Sequence, residues 1–199
     1  MEDQRARPHT GRRRNEAARA AILRAALALV ERGEQFGMGA IAQAAGVGKQ
    51  TIYRWWPSRG AVLAEALAQQ AESLAHIPDT GSVRADLAVF LADTFQAAAE
   101  PPNRRVLQRV MADAQDDPHL EVAVAEFTAR RRAELGTLLE RGRRRGELVA
   151  DADLDLVVDQ AYGMLWYRLL IGHSPLDRTV AERLAESLLT GASVRGAGR

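Results

Sequence analysis

Apolar positions recur every three to four residues along almost the whole chain, and no segment alternates as a half-buried strand does. Ile22, Leu23, Ala26, Leu27 and Val30 make the first stripe, with Asn15 placed to cap its helix and Gly33 to end it. Met38–Ala45 and Lys49–Trp55 read as two short helices joined by a tight turn at Gly46. Pro57 breaks the chain, and Ser58 caps a fourth helix with Val62, Leu63, Ala66 and Leu67 on one face, running to about His76. After a turn at 78–82 comes Val83–Ala99, with Leu87, Phe90, Leu91 and Phe95, closed by Pro101-Pro102. Asn103–Ala114 carries Val106, Leu107, Val110 and Met111. Asp116-Asp117-Pro118 separates it from a long helix, His119 to about Arg145, with Val124, Phe127, Leu135, Leu138 and Leu139, stopped by Gly146. Asp153–Ile171 and Leu176–Thr190 follow, divided by residues 172–175. The pattern predicts an all-α fold of about nine helices.

The second and third helices have a specific spacing. Ile41, Ala42 and Ala45 put small or apolar groups on one face. Gly46 sits where the chain turns and a Cβ would resist a left-handed conformation, and Val47 fills the corner. Ile52 and Trp56, four apart, give the next helix its buried face, which leaves its polar residues outside. This is the pattern of a helix-turn-helix, which lays one helix in a DNA major groove. The start of that helix faces base edges, which selects Lys49 and Gln50: lysine donates to guanine, and glutamine pairs with adenine. Thr51 can touch a thymine methyl or a phosphate. Tyr53 and Arg54 point away from the buried face and can reach the DNA backbone. Trp56 continues the buried face, whereas Trp55 reads two ways, as a DNA-side residue or as one packed on the fourth helix.

Composition sharpens the picture. Hydrophobic residues make up 47% of the 199, enough for a core in one good-sized domain or two small ones. No apolar run is long enough to span a membrane, and the polar, Arg-rich N-terminus lacks a signal-peptide core. Cysteine is absent, which excludes disulfides and thiolate metal sites. His9, His76, His119 and His173 lack ligand spacing, so neither metal nor cofactor is expected. The net charge of +1 is uneven: residues 1–60 hold 11 basic and 5 acidic side chains, and the remainder 16 and 21. A basic front end suits a polyanion such as DNA. A cytoplasmic protein without membrane association is the expectation.

Arg19 to Leu67 resembles the TetR family of bacterial transcriptional regulators. The resemblance lies in Ile22-Leu23-Arg24-Ala25-Ala26, in the two motif helices, and in Thr51-Ile52-Tyr53, Trp56 and Ser58-Arg59 before Val62-Leu63. Later residues resemble the family in length and helix count, with Tyr167 to Leu170 and Pro175-Leu176 close to one of its C-terminal subgroups. The resemblance implies a basic arm over 1–14, a helix-turn-helix domain over 15–60, and a helical effector-binding and dimerisation domain over 61–199. It implies that Tyr53 contacts phosphate and that Arg59, in the place of the family's basic residue at the start of helix four, contacts DNA as well. The expected function is a repressor released from a palindromic double-stranded DNA operator by a small apolar or aromatic effector. Gly37 and Gly48 stand where the family usually has Ser or Thr; their backbone N–H groups can still hold a phosphate oxygen.

All Trp and Tyr residues fall in two groups, one in the motif and one at Tyr162, Trp166 and Tyr167. Tyr162 and Trp166 share a helix face and either line an effector cavity, completed by Phe90, Phe95, Met111 and Phe127, or form core or dimer contacts. A palindromic site needs two reading heads, so a homodimer is expected, with Leu165, Leu169, Leu176, Val180, Leu184 and Leu188 as its apolar stripes. These stripes could instead pack within one subunit. Asp86, Asp93 and Glu100, seven apart on the fifth helix, read as a solvated face or, alternatively, as the mark of a cationic ligand, and Arg130–Arg132 and Arg143–Arg145 read as solvated faces. Two other functions compete. A helical enzyme lacks any nucleophile motif, phosphate loop or acid/base pair here, and a helix-turn-helix regulator could bind a protein partner through its C-terminal half.

Overall fold

Local sequence sets where the helices stop. Gly33, Gly146 and Gly172 adopt left-handed φ of 72°, 74° and 70° at the ends of the first, seventh and eighth helices. Asp117 and Asp153 cap the seventh and eighth by accepting backbone N–H groups, and Ser58 Oγ accepts from Ala61 N at 3.1 Å to start the fourth. A computed structural model describes residues 10–33, 36–73 and 77–192. Among them are nine helices: α1 (Thr10–Glu31), α2 (Met38–Ala45), α3 (Lys49–Tyr53), α4 (Arg59–Ser73), α5 (Val83–Ala99), α6 (Pro101–Asp113), α7 (Pro118–Arg144), α8 (Leu154–Ile171) and α9 (Arg178–Ala192). The all-α expectation holds.

One boundary moves. α1 begins at Thr10, five residues before the expected cap at Asn15, so Arg12–Arg14 belong to the helix and not to an arm. Arginine has high helix propensity, and nothing after Gly11 breaks the turn. Residues 1–9, and the expected end of α4 at His76, lie outside the described residues.

Two cores form. The first joins Ile22, Leu23 and Ala26 of α1 to Ile41, Ile52 and Trp56 of the motif, and to Val62, Leu63 and Leu67 of α4. Val106 and Val110 of α6 and Leu120 of α7 complete it, so this core extends well past residue 60. The second packs α5, the later part of α7, α8 and α9 around Leu87, Leu91, Phe95, Leu135, Leu138, Leu139 and Leu169. α4 and α6 therefore stand between the motif and the second core.

Candidate nucleic-acid interface

The turn between α2 and α3 is built from backbone. Gly46 has φ 67°, its N–H bonds Gln43 O at 3.2 Å, and Val47 N bonds Ala42 O at 3.0 Å. This pair of bonds closes α2 in the left-handed manner that favours glycine. Gly37 and Gly48 are the N-caps of α2 and α3, where they leave the first N–H groups without a side-chain partner. Ile52 is fully buried, and Trp56 donates its indole N–H to Glu65 Oε2 at 2.9 Å. Those contacts fix the rotation of α3 against α4.

The opposite side of α3 faces outward. Lys49, Gln50 and Arg54 are exposed, Thr51 is half-buried, and Tyr53 is 56% exposed. The Lys49 stem lies across α2: a Cβ on Gly39 would come within 3.0 Å of its Cε. The Arg54 guanidinium sits 5.0 Å over the Trp55 ring, and Trp55 packs edge-on to Trp56. Trp55 is thus half-buried against Trp56 while supporting an outward arginine.

Arg59 is placed differently from its expected role. Its Nη2 pairs with Asp113 Oδ2 at 2.9 Å, its Nη1 donates to Phe36 O at 3.2 Å, and its guanidinium lies 5.5 Å over the Phe36 ring. Arg109 Nε holds the same Asp113 at 3.0 Å. Ser58 and Gly60, on either side, meet Asp117 at the start of α7. Arg59 joins the beginning of α4 to the end of α6, facing inward.

Behind α4 lies a cavity of about 100 Å³. Phe90, Phe127, Tyr162 and Trp166 line it as expected, together with Leu67 of α4 and Leu107 of α6. Phe95 and Met111 do not. Phe95 is fully buried in the second core, and Met111 lies half-buried on α6. The cavity also holds a group that periodicity hid. Arg131 is only 6% exposed, where a solvated helix face was expected. It pairs with Glu134, donates to Thr94 Oγ1 at 2.8 Å, and lies 5.2 Å over the Phe90 ring. Tyr162 donates its hydroxyl to Arg131 O at 2.9 Å. Burial pushes the Tyr162 phenol up to about 12, with Glu134 adding to the rise and Arg131 opposing it.

Residues 22–66 match the family pattern of bacterial regulatory proteins of the tetR family, and residues 77–188 match that of the tetracyclin repressor-like C-terminal domain. The chain belongs to the TetR family of bacterial transcriptional regulators. It is 30% identical over 189 residues to the HTH-type transcriptional regulator YdeS of Bacillus subtilis, covering 94% of this chain and 96% of YdeS. It is 30% identical over 179 residues to the DNA-binding transcriptional repressor TetR of Mycobacteroides abscessus, covering 88% and 94%. The solved TetR family transcription regulator SCO0332 superposes with a TM-score of 0.71 at 34% identity, covering 90% of this chain and 99% of that one.

This TetR-family protein is a DNA-binding transcriptional regulator and not an enzyme. None of its helices is long and apolar enough to cross a membrane among the described residues. Two further sequence readings shift. Asp86, expected on a solvated face, is fully buried and accepts from Thr80 N and Oγ1 at 2.7 Å, clamping the loop before α5. Leu165, Leu169, Leu176 and Leu188 are buried in the chain's own second core, and Val180 and Leu184 lie half-buried against it. The apolar surface that α8 leaves outside is instead Leu156, Tyr167, Leu170 and Ile171, each 45–64% exposed.

Proposed function

We propose that this regulator is a homodimeric repressor that leaves a palindromic operator when a small apolar or aromatic molecule enters the cavity behind α4. Lys49 and Gln50 read base edges. Thr51, Tyr53, Arg54 and the backbone N–H groups after Gly37 and Gly48 hold phosphates. Arg59 is left out of that set, because its guanidinium is engaged by Asp113 and Phe36. Similarity to the repressor of Mycobacteroides abscessus supports repression. Binding of a chromosomal operator places the protein in the cytoplasm.

The observation that carries this reading is the double role of α4. Its first residue follows the motif closely, and its Leu67, 2% exposed, belongs to the motif's core while lining the cavity. A cavity of ~150 Å³ just takes a benzene ring, so a ligand entering about 100 Å³ must move a wall. Leu67 is the wall that leads to DNA. Displacing it tilts α4 and changes the separation of two recognition helices, the differential between states that release requires. The second recognition helix comes from a partner docked on the exposed stripe of α8, where Gly163 lies between Leu156 and Tyr167 and permits close approach.

Leu67→Trp tests the gate without a ligand. The larger side chain occupies the cavity and costs about 1–3 kcal/mol in overpacking. Helicity and dimerisation persist, and operator affinity falls at least about tenfold, equivalent to 1.4 kcal/mol of coupling. A folded Leu67→Trp dimer with unchanged operator affinity overturns the gate.

A further inference from the structure

We propose that the effector is a single-ring aromatic acid whose oxyanion is received by Arg131. This deepens the reading of the cavity as the effector site and depends on it. The walls supply the ring's environment: Leu67, Phe90, Leu107, Phe127, Leu165 and Trp166 are apolar. The volume of about 100 Å³ admits a single ring after modest wall movement.

The choice of an acid comes from charge and burial. Arg131 is the single cationic side chain lining the cavity among the described residues, and it is 6% exposed. A guanidinium has five N–H donors in a planar fork, and here Nη1 goes to Glu134 and Nη2 to Thr94 Oγ1. The Phe90 ring, 5.2 Å from the guanidinium carbon, adds an aromatic neighbour to this cation. The other charged lining residue, Asp93, is exposed and therefore screened by water. Glu134 balances this charge through its ion pair; once that carboxylate turns out to water, the buried guanidinium acts at lower effective dielectric than the exposed Asp93 at the rim, and the field inside favours an anion.

Glu134 makes exchange feasible. It sits one turn beyond Arg131 on α7, and its side chain is 17% exposed, so it has a path to water. An incoming carboxylate takes its place on the guanidinium, the chamber stays neutral, and Glu134 becomes solvated. No bond is made or broken and no proton moves. Tyr162 stays neutral at pH 7.5 and keeps its hydroxyl on Arg131 O, which holds the arginine's backbone in place.

The test uses the full chain at pH 7.5 with three probes of one shape: benzoate, benzamide and benzylamine. Benzoate raises the melting temperature by about 5–10 °C at a hundred times its dissociation constant. Benzamide and benzylamine bind at least about tenfold more weakly. Glu134→Gln lowers the melting temperature without ligand, because it removes Arg131's partner, and it tightens benzoate about tenfold while leaving benzamide unchanged. Arg131→Gln abolishes the preference for benzoate over benzamide. Equal or tighter binding of benzamide or benzylamine overturns the acid assignment and leaves the cavity reading standing. If no probe binds while Leu67→Trp still releases the operator, the acid assignment falls and the gate stands. If no probe binds and Leu67→Trp has no effect, both fall.

Discussion

Arg59 distinguishes two accounts of how the motif is held, and Arg59→Ala separates them. As a phosphate contact, its removal lowers the slope of log affinity against log salt by about 0.9 and leaves folding untouched. The structure points to the other outcome. Arg59 bonds Asp113 at 2.9 Å and Phe36 O at 3.2 Å, and the two charged side chains are 27% and 13% exposed. Hydrogen bonds to charged groups contribute about 1.5–3 kcal/mol when well shielded. Asp113 keeps Arg109 at 3.0 Å after the substitution, so it is not left alone. The expected loss is about 1–3 kcal/mol of stability, or roughly 3–10 °C in melting temperature for a chain of this size. The assay pairs thermal melting with fluorescence anisotropy on random duplex DNA across a salt series. The salt slope stays within about 0.2 of wild type, against the 0.9 of a lost phosphate contact. A double-mutant cycle with Asp113→Ala gives a coupling of at least about 0.5 kcal/mol. A slope lower by one, with an unchanged melting temperature, refutes the inward placement.

Three other substitutions probe the remaining joints. Gly60→Ala drives a Cβ into the Asp117 carboxylate that caps α7, and costs about 1–3 kcal/mol through overpacking and loss of the cap; an unchanged melting temperature shows that the two helices can part freely. Tyr162→Phe loses one hydrogen bond at pH 7, about 1 kcal/mol. Because the wild-type phenol is raised from 10.0 to about 12, its stabilising contribution is complete below pH 10 and disappears as pH climbs through 12. That loss is on the order of 2–3 kcal/mol, so the gap between the two proteins narrows and reverses in alkali, and a gap constant from pH 7 to 12 contradicts it. Tyr167→Glu with Leu170→Glu, on the exposed stripe of α8, gives a folded monomer by sedimentation, with specific DNA binding lost more than non-specific; a folded dimer places the interface elsewhere.

What the sequence disclosed was local. Gly46 at the turn, Ser58 as a cap, and Ile52 with Trp56 on the buried face of α3 follow from backbone conformation and a four-residue period. What it hid depends on partners far along the chain. Arg131 reads as solvated beside Arg130 and Arg132, and only Thr94, 37 residues away, and Phe90 make it interior. Arg59 has its carboxylate 54 residues later. α8 is apolar on two faces, so its period marks which residues align but not which set turns inward: Val158, Ala161, Leu165 and Leu169 do, while Leu156, Tyr167 and Leu170 stay outside. Of the six aromatic and Met residues expected at the cavity, the four that line it come from three helices, an arrangement that no single periodicity encodes.

The central claim is that two copies of α3 read one two-fold site through Lys49 and Gln50. Selection of duplexes bound by the purified full chain from a random pool tests it most directly. The expected product is an inverted repeat with half-sites centred about one helical turn apart. Lys49→Ala is expected to lose about 1–3 kcal/mol on the selected site and to relax one base pair in each half. A pool that yields no symmetric sequence, or a Lys49→Ala loss equal on selected and random DNA, contradicts it.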